Sequence, residues 1–314
     1  MFSLPSVPRR IWTAVGALLL LAALTALVAL PRSDRDTSAR QDGAPTEITD
    51  DGDIPWPEEG QAAVTLEGSG QVLTHGAQRP VPIASLTKVM TAYVVLTGHP
   101  LRPGEEGPRI EVDPQAAHEA GVGGESTVVV TPGDHRTERE LLHLLLLPSA
   151  NNIARLLARW DAGSEEAFVR KMQRAAHDLG MRDTTYTDAS GIEPTTTSTA
   201  ADQLKLAREA MRLPVLRDIV ATREATVPGV GRVANSNTLL GTSGVVGLKT
   251  GSSTPAGGNL LWAARTDGTR LLLGAVLHQR ADTTPAEGLT AALEASRTLI
   301  DGLRARPRST GSEG

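Results

Sequence analysis

Strand patterns at both ends of the folded part of this chain, with helix patterns between them, restrict its architecture more than any other feature. Near residue 61, "AAVTLEGSGQVLTHGA" sets two short apolar segments around Gly68-Ser69-Gly70, a hairpin signal. After Gly244 come "VVGLKTG", "GNLLWAAR" and "RLLLGAVLH", the last two joined by the turn sequence Thr266-Asp267-Gly268-Thr269. Between these groups Leu86, Val89, Met90, Tyr93 and Val94 recur at helical spacing. A capping box at Thr137 and Glu140 opens an apolar helix that ends before Pro148. "NNIARLLARW", "EEAFVRKMQRAAHDLG" and "TAADQLKLAREAM" continue the helical series, and "PAEGLTAALEASRTLIDGL" closes it. Such segregation predicts an α+β fold in which one antiparallel sheet is built from both chain ends and covered by helices. It also brings residues near 85 and 250 together.

The N-terminus carries a different signal. Arg9 and Arg10 precede an uncharged run, residues 11–30, of about the twenty residues that cross the hydrocarbon core of a bilayer. Read as an uncleaved transmembrane helix, it makes residues 1–31 a cytoplasmic stub and anchor. The folded domain then lies on the extracytoplasmic face of the plasma membrane. The alternative is a cleaved signal peptide and a secreted protein, but the run exceeds a usual signal core and no small-x-small site precedes "LPRSDRD". Residues 32–60 are acidic, rich in proline and glycine and poor in apolar groups, which predicts a disordered linker with a reach of about 30 Å. Residues 61–303 form the expected domain, and 304–314 a polar tail.

Composition excludes several chemistries. The formal net charge is -5 and arginines are scattered among acids, so there is no electrostatic footprint for nucleic acid. The chain has no cysteine, which removes disulfides, thiolate nucleophiles and cysteine zinc sites. Its seven histidines show no metal-ligand spacing, and no metal or other cofactor is expected. "GVGRVA", Gly229 to Ala234, has the form Gly-x-Gly-x-x-Ala, but Pro228 stands where a nucleotide-binding strand would end, and the segment reads as a loop.

Of 31 basic residues only four are lysines: Lys88, Lys171, Lys205 and Lys249. A chain that uses arginine for its surface cations keeps a lysine where a proton must be released. Ser85 and Lys88, in "PIASLTKVM", stand at i and i+3 and share a helix face, so an amine of lowered pKa could activate the hydroxyl. By itself the pair could equally be a solvated face. Ser149 and Asn151, in "LLLLPSANN", fall between two helices, where they could merely cap. Lys249-Thr250-Gly251 falls in a β-branched strand, where lysine and glycine could mark an edge and a bulge.

In the order Ser-x-x-Lys, Ser-x-Asn, Lys-Thr-Gly the three carry a more specific meaning, since this triple marks penicillin-binding proteins and β-lactamases. With "PIASLTKVMTA", "TERELLHLLLLPSANN" and "GVVGLKTGSSTPAGGNLLWAA", the chain resembles the serine D-alanyl-D-alanine carboxypeptidases, or low-molecular-mass penicillin-binding proteins, over roughly residues 61–303. The resemblance implies a β-lactamase/transpeptidase-like fold, a peptidoglycan stem peptide as substrate and β-lactams as inhibitors. It assigns Ser85 as nucleophile, Lys88 as its base, Ser149 as proton relay to the leaving D-alanine, and Asn151 as a ligand of the substrate amide and of Lys88. Lys249 and Thr250 would bind the terminal carboxylate, with Arg280 a further candidate by position. Gly251 would let the strand approach the substrate, and the N–H groups of Ser85 and Ser252 would form the oxyanion hole.

Some features depart from the family pattern. No second β-rich domain or C-terminal amphipathic helix follows the closing helix, so membrane attachment is expected at the N-terminus. Ala150 stands where glycine is more frequent, and "DASGIEPTTTSTA" matches the family's loop only loosely. A β-lactamase would need a deacylation base, and no Glu-x-x-Leu-Asn box is found. A non-catalytic wall-binding or penicillin-sensing homologue is the alternative from another class, against which the intact motif residues argue. D,D-endopeptidase action and the identity of the third stem residue stay open.

Overall fold

A computed structural model describes Ile48 and residues 52–121, 123–266 and 270–305. In chain order the elements are β1 (Gln61–Leu66), β2 (Leu73–His75), β3 (Val81–Pro82), a 3-10 turn (Ala84–Leu86), α1 (Thr87–Gly98), β4 (Arg109–Glu111), α2 (Pro114–His118), β5 (His135–Thr137), α3 (Glu138–Leu146), α4 (Asn151–Ala162) and α5 (Glu165–Asp178). There follow β6 (Thr197–Ser198), α6 (Ala200–Ala210), α7 (Pro214–Val220), β7 (Glu224–Val227), β8 (Gly231–Ala234), β9 (Val245–Ser253), β10 (Gly257–Arg265), β11 (Leu271–Gln279) and α8 (Pro285–Ala305).

Local chemistry sets many of the boundaries. The Thr137 hydroxyl accepts from the Glu140 N–H while the Glu140 carboxylate accepts from the Thr137 N–H, the reciprocal cap expected at the start of α3. Asp113, Ser164 and Thr199 cap α2, α5 and α6 in the same acceptor role. Gly163, at φ 79°, ends α4 in the left-handed conformation.

The main sheet is antiparallel throughout, in the order β2-β1-β11-β10-β9. Its two sequence groups meet at β1 and β11, with Ala63 opposite Ala275. One antiparallel sheet assembled from both ends, with helices covering it, is therefore what the chain forms. Both faces are buried, which explains why β10 and β11 read as unbroken apolar runs rather than alternating ones. Ala63, Leu261 and Ala275 face the helical core with α1 and α4, while Ala62, Leu260, Trp262 and Val276 face Leu299 and Ile300 of α8. The Trp262 ring lies over Gly274, where a β-carbon would stand 2.0 Å from it.

Two expectations need correction. The linker does not extend to residue 60: Ile54 is buried against the α8 side of the sheet, Trp56 stacks on His75 at 5.4 Å, and the Glu59 carbonyl accepts from Gln279 Nε2 at 2.7 Å. Apolar residues as sparse as these dock when a preformed face receives them, which composition averaged over the segment conceals. "GVGRVA" is not all loop, since Gly231–Ala234 pairs with Glu224–Val227 in a small hairpin whose turn begins at Pro228. The expected anchor, residues 11–30, and the turn residues 267–269 lie outside the described residues. Among the described residues no helix is long and apolar enough to cross a membrane.

Candidate active site

Ser85 occupies the 3-10 turn that leads into α1, and Lys88 follows in the first turn of that helix. Ala84, just before the serine, is held at φ 46°, a left-handed conformation that costs a non-glycine residue about 1 to 3 kcal/mol. Its carbonyl is fixed from two sides. Thr87 Oγ1 donates to it at 2.8 Å, and Gly191 passes so near that a β-carbon would fall 1.9 Å from that oxygen.

Lys88 is fully buried, and its Nζ reaches Ser85 Oγ at 2.9 Å, Asn151 Oδ1 at 2.6 Å and the Ser190 carbonyl at 2.7 Å. An ammonium has three N–H groups, and these acceptors take all three. A neutral amine keeps two for Asn151 and Ser190 and presents its lone pair to the Ser85 hydroxyl. Burial first, and the Lys249 cation next, hold the Lys88 amine well below the ordinary lysine range. Asp188 and Glu125 oppose that shift, and Arg155 adds to it. Lys171 and Lys205, by contrast, are partly exposed and bonded to Asp161 and Asp202 at 2.6 and 2.7 Å.

Ser149 lies between α3 and α4 at φ 65°, buried, and its Oγ has no hydrogen-bond partner among the described residues. It does not cap α4; Ala150 holds that position without a side-chain bond. A buried hydroxyl left in this condition fits a group that exchanges protons with a substrate. Two residues on, the Asn151 Nδ2 donates to Glu125 Oε2 at 3.0 Å.

Opposite these stands β9, the edge strand of the sheet. Lys249 is 1% exposed, and burial pushes its amine down to about 7. Its Nζ donates to the Thr250 carbonyl at 3.0 Å, while the Thr250 hydroxyl shares a hydrogen bond of 2.5 Å with Ser236 Oγ. Gly251 does not mark a bulge, because the register shift of β9 lies toward Val245. It faces the nucleophile turn: a β-carbon there would meet Ile83 O at 2.8 Å and Leu86 N at 3.0 Å. Ser252 is half-buried and pairs with Gly258.

Ser85, Lys88 and Asn151 thus form one hydrogen-bonded group, with Ser149 two residues before Asn151 in the chain, Gly251 packed on the nucleophile turn and Lys249 near enough to act on the Lys88 charge. Arg280 joins none of these contacts. At φ 48°, its N–H donates to Glu59 Oε2 at 3.0 Å, and it lines a surface hollow with Glu287 and Thr290 of α8. The register from Ser252 through Gly258 to Gln279 sets its backbone at the same end of the sheet, two strands from β9.

Four participants were not picked out from the sequence. The Ser190 carbonyl reaches Lys88 because Asp188 Oδ2 accepts from Ser190 N, Ser190 Oγ, Gly191 N and Ile192 N, folding "DASGI" into a tight loop. An Asp two residues before a Ser-Gly pair is a turn signal of this kind. Ser236 and Glu125 offered no local signal, since each acts through a partner distant in sequence. Among the described residues no group of His, Asp and Glu could hold a metal ion.

The family described as D-alanyl-D-alanine carboxypeptidase matches residues 57–280. The chain is 33% identical over 223 residues to D-alanyl-D-alanine carboxypeptidase DacC of Escherichia coli, covering 68% of this chain and 55% of that one. It is 36% identical over 169 residues to a D-alanyl-D-alanine endopeptidase of Pseudomonas aeruginosa, covering 54% and 52%. It therefore spans about half the length of these curated relatives. Among solved structures, a D-alanyl-D-alanine carboxypeptidase from Mycobacterium tuberculosis aligns with a TM-score of 0.70 at 29% identity, covering 84% of this chain and 98% of that one. The Streptomyces K15 DD-transpeptidase aligns at 0.68 and 27% identity, covering 78% and 96%.

Proposed function

The chain belongs to the D-alanyl-D-alanine carboxypeptidase family, and from that premise we propose that it is a serine peptidase removing the terminal D-alanine from peptidoglycan stem pentapeptides. Ser85 Oγ attacks the carbonyl carbon between the two D-alanines as its proton passes to Lys88 Nζ. The peptide C–N bond breaks while the leaving nitrogen takes a proton through Ser149 Oγ, and an ester remains on Ser85. Water then cleaves the ester, releasing the shortened peptide and restoring the serine. Lys249 and Thr250 hold the terminal carboxylate, with Arg280 a further contributor. Asn151 binds the substrate amide, and the N–H groups of Ser85 and Ser252 take the oxyanion, each donor being worth about 3 kcal/mol. Penicillins enter the same acylation step and stay as the ester.

One observation carries this reading: the desolvated Lys88 amine stands 2.9 Å from Ser85 Oγ while two other acceptors fix its position. The test is incubation with a stem pentapeptide and with fluorescent penicillin. Released D-alanine and a covalent label should both appear, and both should vanish in Ser85→Ala. A labelled Ser85→Ala protein would remove Ser85 from the nucleophile's role.

A D,D-endopeptidase reading rests on the name of the Pseudomonas aeruginosa relative and uses the same acyl-enzyme. It predicts cleavage of cross-linked dimers in preference to pentapeptide. For location, residues 11–30 support a single-pass anchor that holds the domain outside the plasma membrane. Full-length protein should then sediment with membranes, whereas soluble protein with a new N-terminus beyond Leu30 would mean a cleaved signal.

A further inference from the structure

The Asn151 amide lies between two groups of opposite hydrogen-bonding character. Its Oδ1 accepts from Lys88 Nζ at 2.6 Å, and its Nδ2 donates to Glu125 Oε2 at 3.0 Å. That carboxylate is fixed in turn by Arg155, whose Nη2 donates to the same Oε2 at 3.1 Å, while Arg155 Nε holds Glu119 at 2.8 Å. Asn151 is 4% exposed and the Glu125 side chain 23%, so the contacts run from the buried amide to a partly buried carboxylate.

We propose that Glu125 is a positioning residue for the general base, acting by fixing which end of the Asn151 amide faces Lys88. The proposal rests on the acylation reading given above. An ionised carboxylate is an acceptor only, so it admits Nδ2 of the amide and repels Oδ1. A protonated Lys88 would enforce the same orientation by itself, because an ammonium only donates. The neutral amine would not: it carries a lone pair, and an inverted Asn151 could donate Nδ2–H to it. The base would then be occupied by the amide and unable to take the Ser85 proton. Glu125 closes that alternative when Lys88 is in its reactive form, and the Arg155 Nη2 donor holds its Oε2 in place.

Charges facing Lys88 come from β9 (Lys249), the loop before β6 (Asp188), α4 (Arg155) and the segment between α2 and β5 (Glu125). Glu125 favours the protonated amine, so its removal should move the acid limb of the acylation profile to lower pH. Arg155 acts in the opposite sense, so its removal should move the limb up. Orientation and charge can therefore be separated.

The experiment measures the penicillin acylation rate against pH for the full chain and for Glu125→Gln, Glu125→Ala and Arg155→Gln, with thermal melts verifying the fold. Parental acylation, lost in Ser85→Ala, tests the functional reading independently. Glu125→Gln keeps an oxygen that can accept from both Asn151 and Arg155, and it should retain the plateau rate with its limb moved down. Glu125→Ala keeps no acceptor, and its plateau should fall about tenfold to a hundredfold, the range of a hydrogen bond to a charged group. Parental plateau rates in Glu125→Ala would overturn the proposal. Equal plateau losses in Glu125→Ala and Glu125→Gln would also overturn it, assigning the residue to charge balance instead.

Discussion

Gly251 lies so close to Ile83 that a β-carbon on it would stand 2.8 Å from the Ile83 carbonyl oxygen. The contact joins β9, which carries Lys249 and Thr250, to the turn that carries Ser85. Glycine here sets the separation between the two halves of the site, a function distinct from the substrate approach expected of it.

Gly251→Ala should therefore damage both packing and chemistry. The added methyl group meets backbone atoms, Ile83 O and Leu86 N, which cannot rotate away, so the strand or the turn must shift. Overpacking of this kind costs about 1 to 3 kcal/mol. A displacement approaching 1 Å between nucleophile and carboxylate site should lower acylation about 10²-fold. Thermal melts and penicillin labelling rates measure the two effects. A variant with parental values in both would show that the strand can yield without cost.

Lys88→Arg retains a cation and removes a base. Guanidinium stays protonated at any working pH, whereas the Lys88 amine is held well below the ordinary lysine range by burial and by Lys249. Acylation should slow by about 10²- to 10⁴-fold, the usual contribution of general-base catalysis. Lys171→Arg and Lys205→Arg should slow acylation little, because neither amine bonds Ser85 or Lys88: they pair with Asp161 and Asp202, which an arginine can also do. Near-parental acylation in Lys88→Arg would falsify the proton-acceptor role.

Lys249 makes a prediction about stability as well as binding. Its amine is pushed down from 10.5 to about 7 by burial. Between those values the unfolded chain binds more protons than the folded one, so stability rises with pH across the window and is lost as pH falls through about 7. Lys88 acts in the same direction, while Glu138, whose buried carboxylate has no hydrogen-bond partner among the described residues and is raised to about 7, loses stability as pH rises through that value. The difference between parent and Lys249→Met isolates one group. Urea midpoints should show the variant gaining most near the acid end of the window and least near the alkaline end. Peptide KM should rise in the parent as pH climbs above about 7, because the uncharged amine no longer pairs with a carboxylate.

The sequence made one class of feature legible and hid another. Ser85 with Lys88, and Thr137 with Glu140, are neighbours within one turn, and their spacing reveals the contact. The sheet could be inferred because its strands keep continuous apolar runs on both sides of the helical region. Glu125 with Asn151, Ser236 with Thr250, and Ile54 against the α8 face are contacts of tertiary structure, and neither partner bears a mark of the other. Arg280 was placed by resemblance alone: its backbone stands at the same end of the sheet as Ser252, while its N–H donates to Glu59 and it lines a hollow with Glu287 of α8.

The segment before β1 supplies the last prediction. Here Pro55 packs on α8 so tightly that a β-carbon on Gly302 would lie 2.4 Å from its ring, and Ile54 is only 6% exposed. Trp56 stacks on His75 of β2, and Glu59 accepts from Gln279 and from the Arg280 N–H. Burial of an isoleucine contributes about 1.5 to 3 kcal/mol, so removal of the whole segment should cost about 3 kcal/mol. At about 2 to 4 °C per kcal/mol for a domain of this size, a chain starting at Gln61 should melt about 6 to 12 °C below one starting at Thr46. Penicillin labelling below the melting range should be alike in the two, because Ser85 and Lys88 lie on the other face of the sheet from Ile54. Equal melting temperatures would show that these residues rest on the domain without supporting it, and would return the boundary to residue 61.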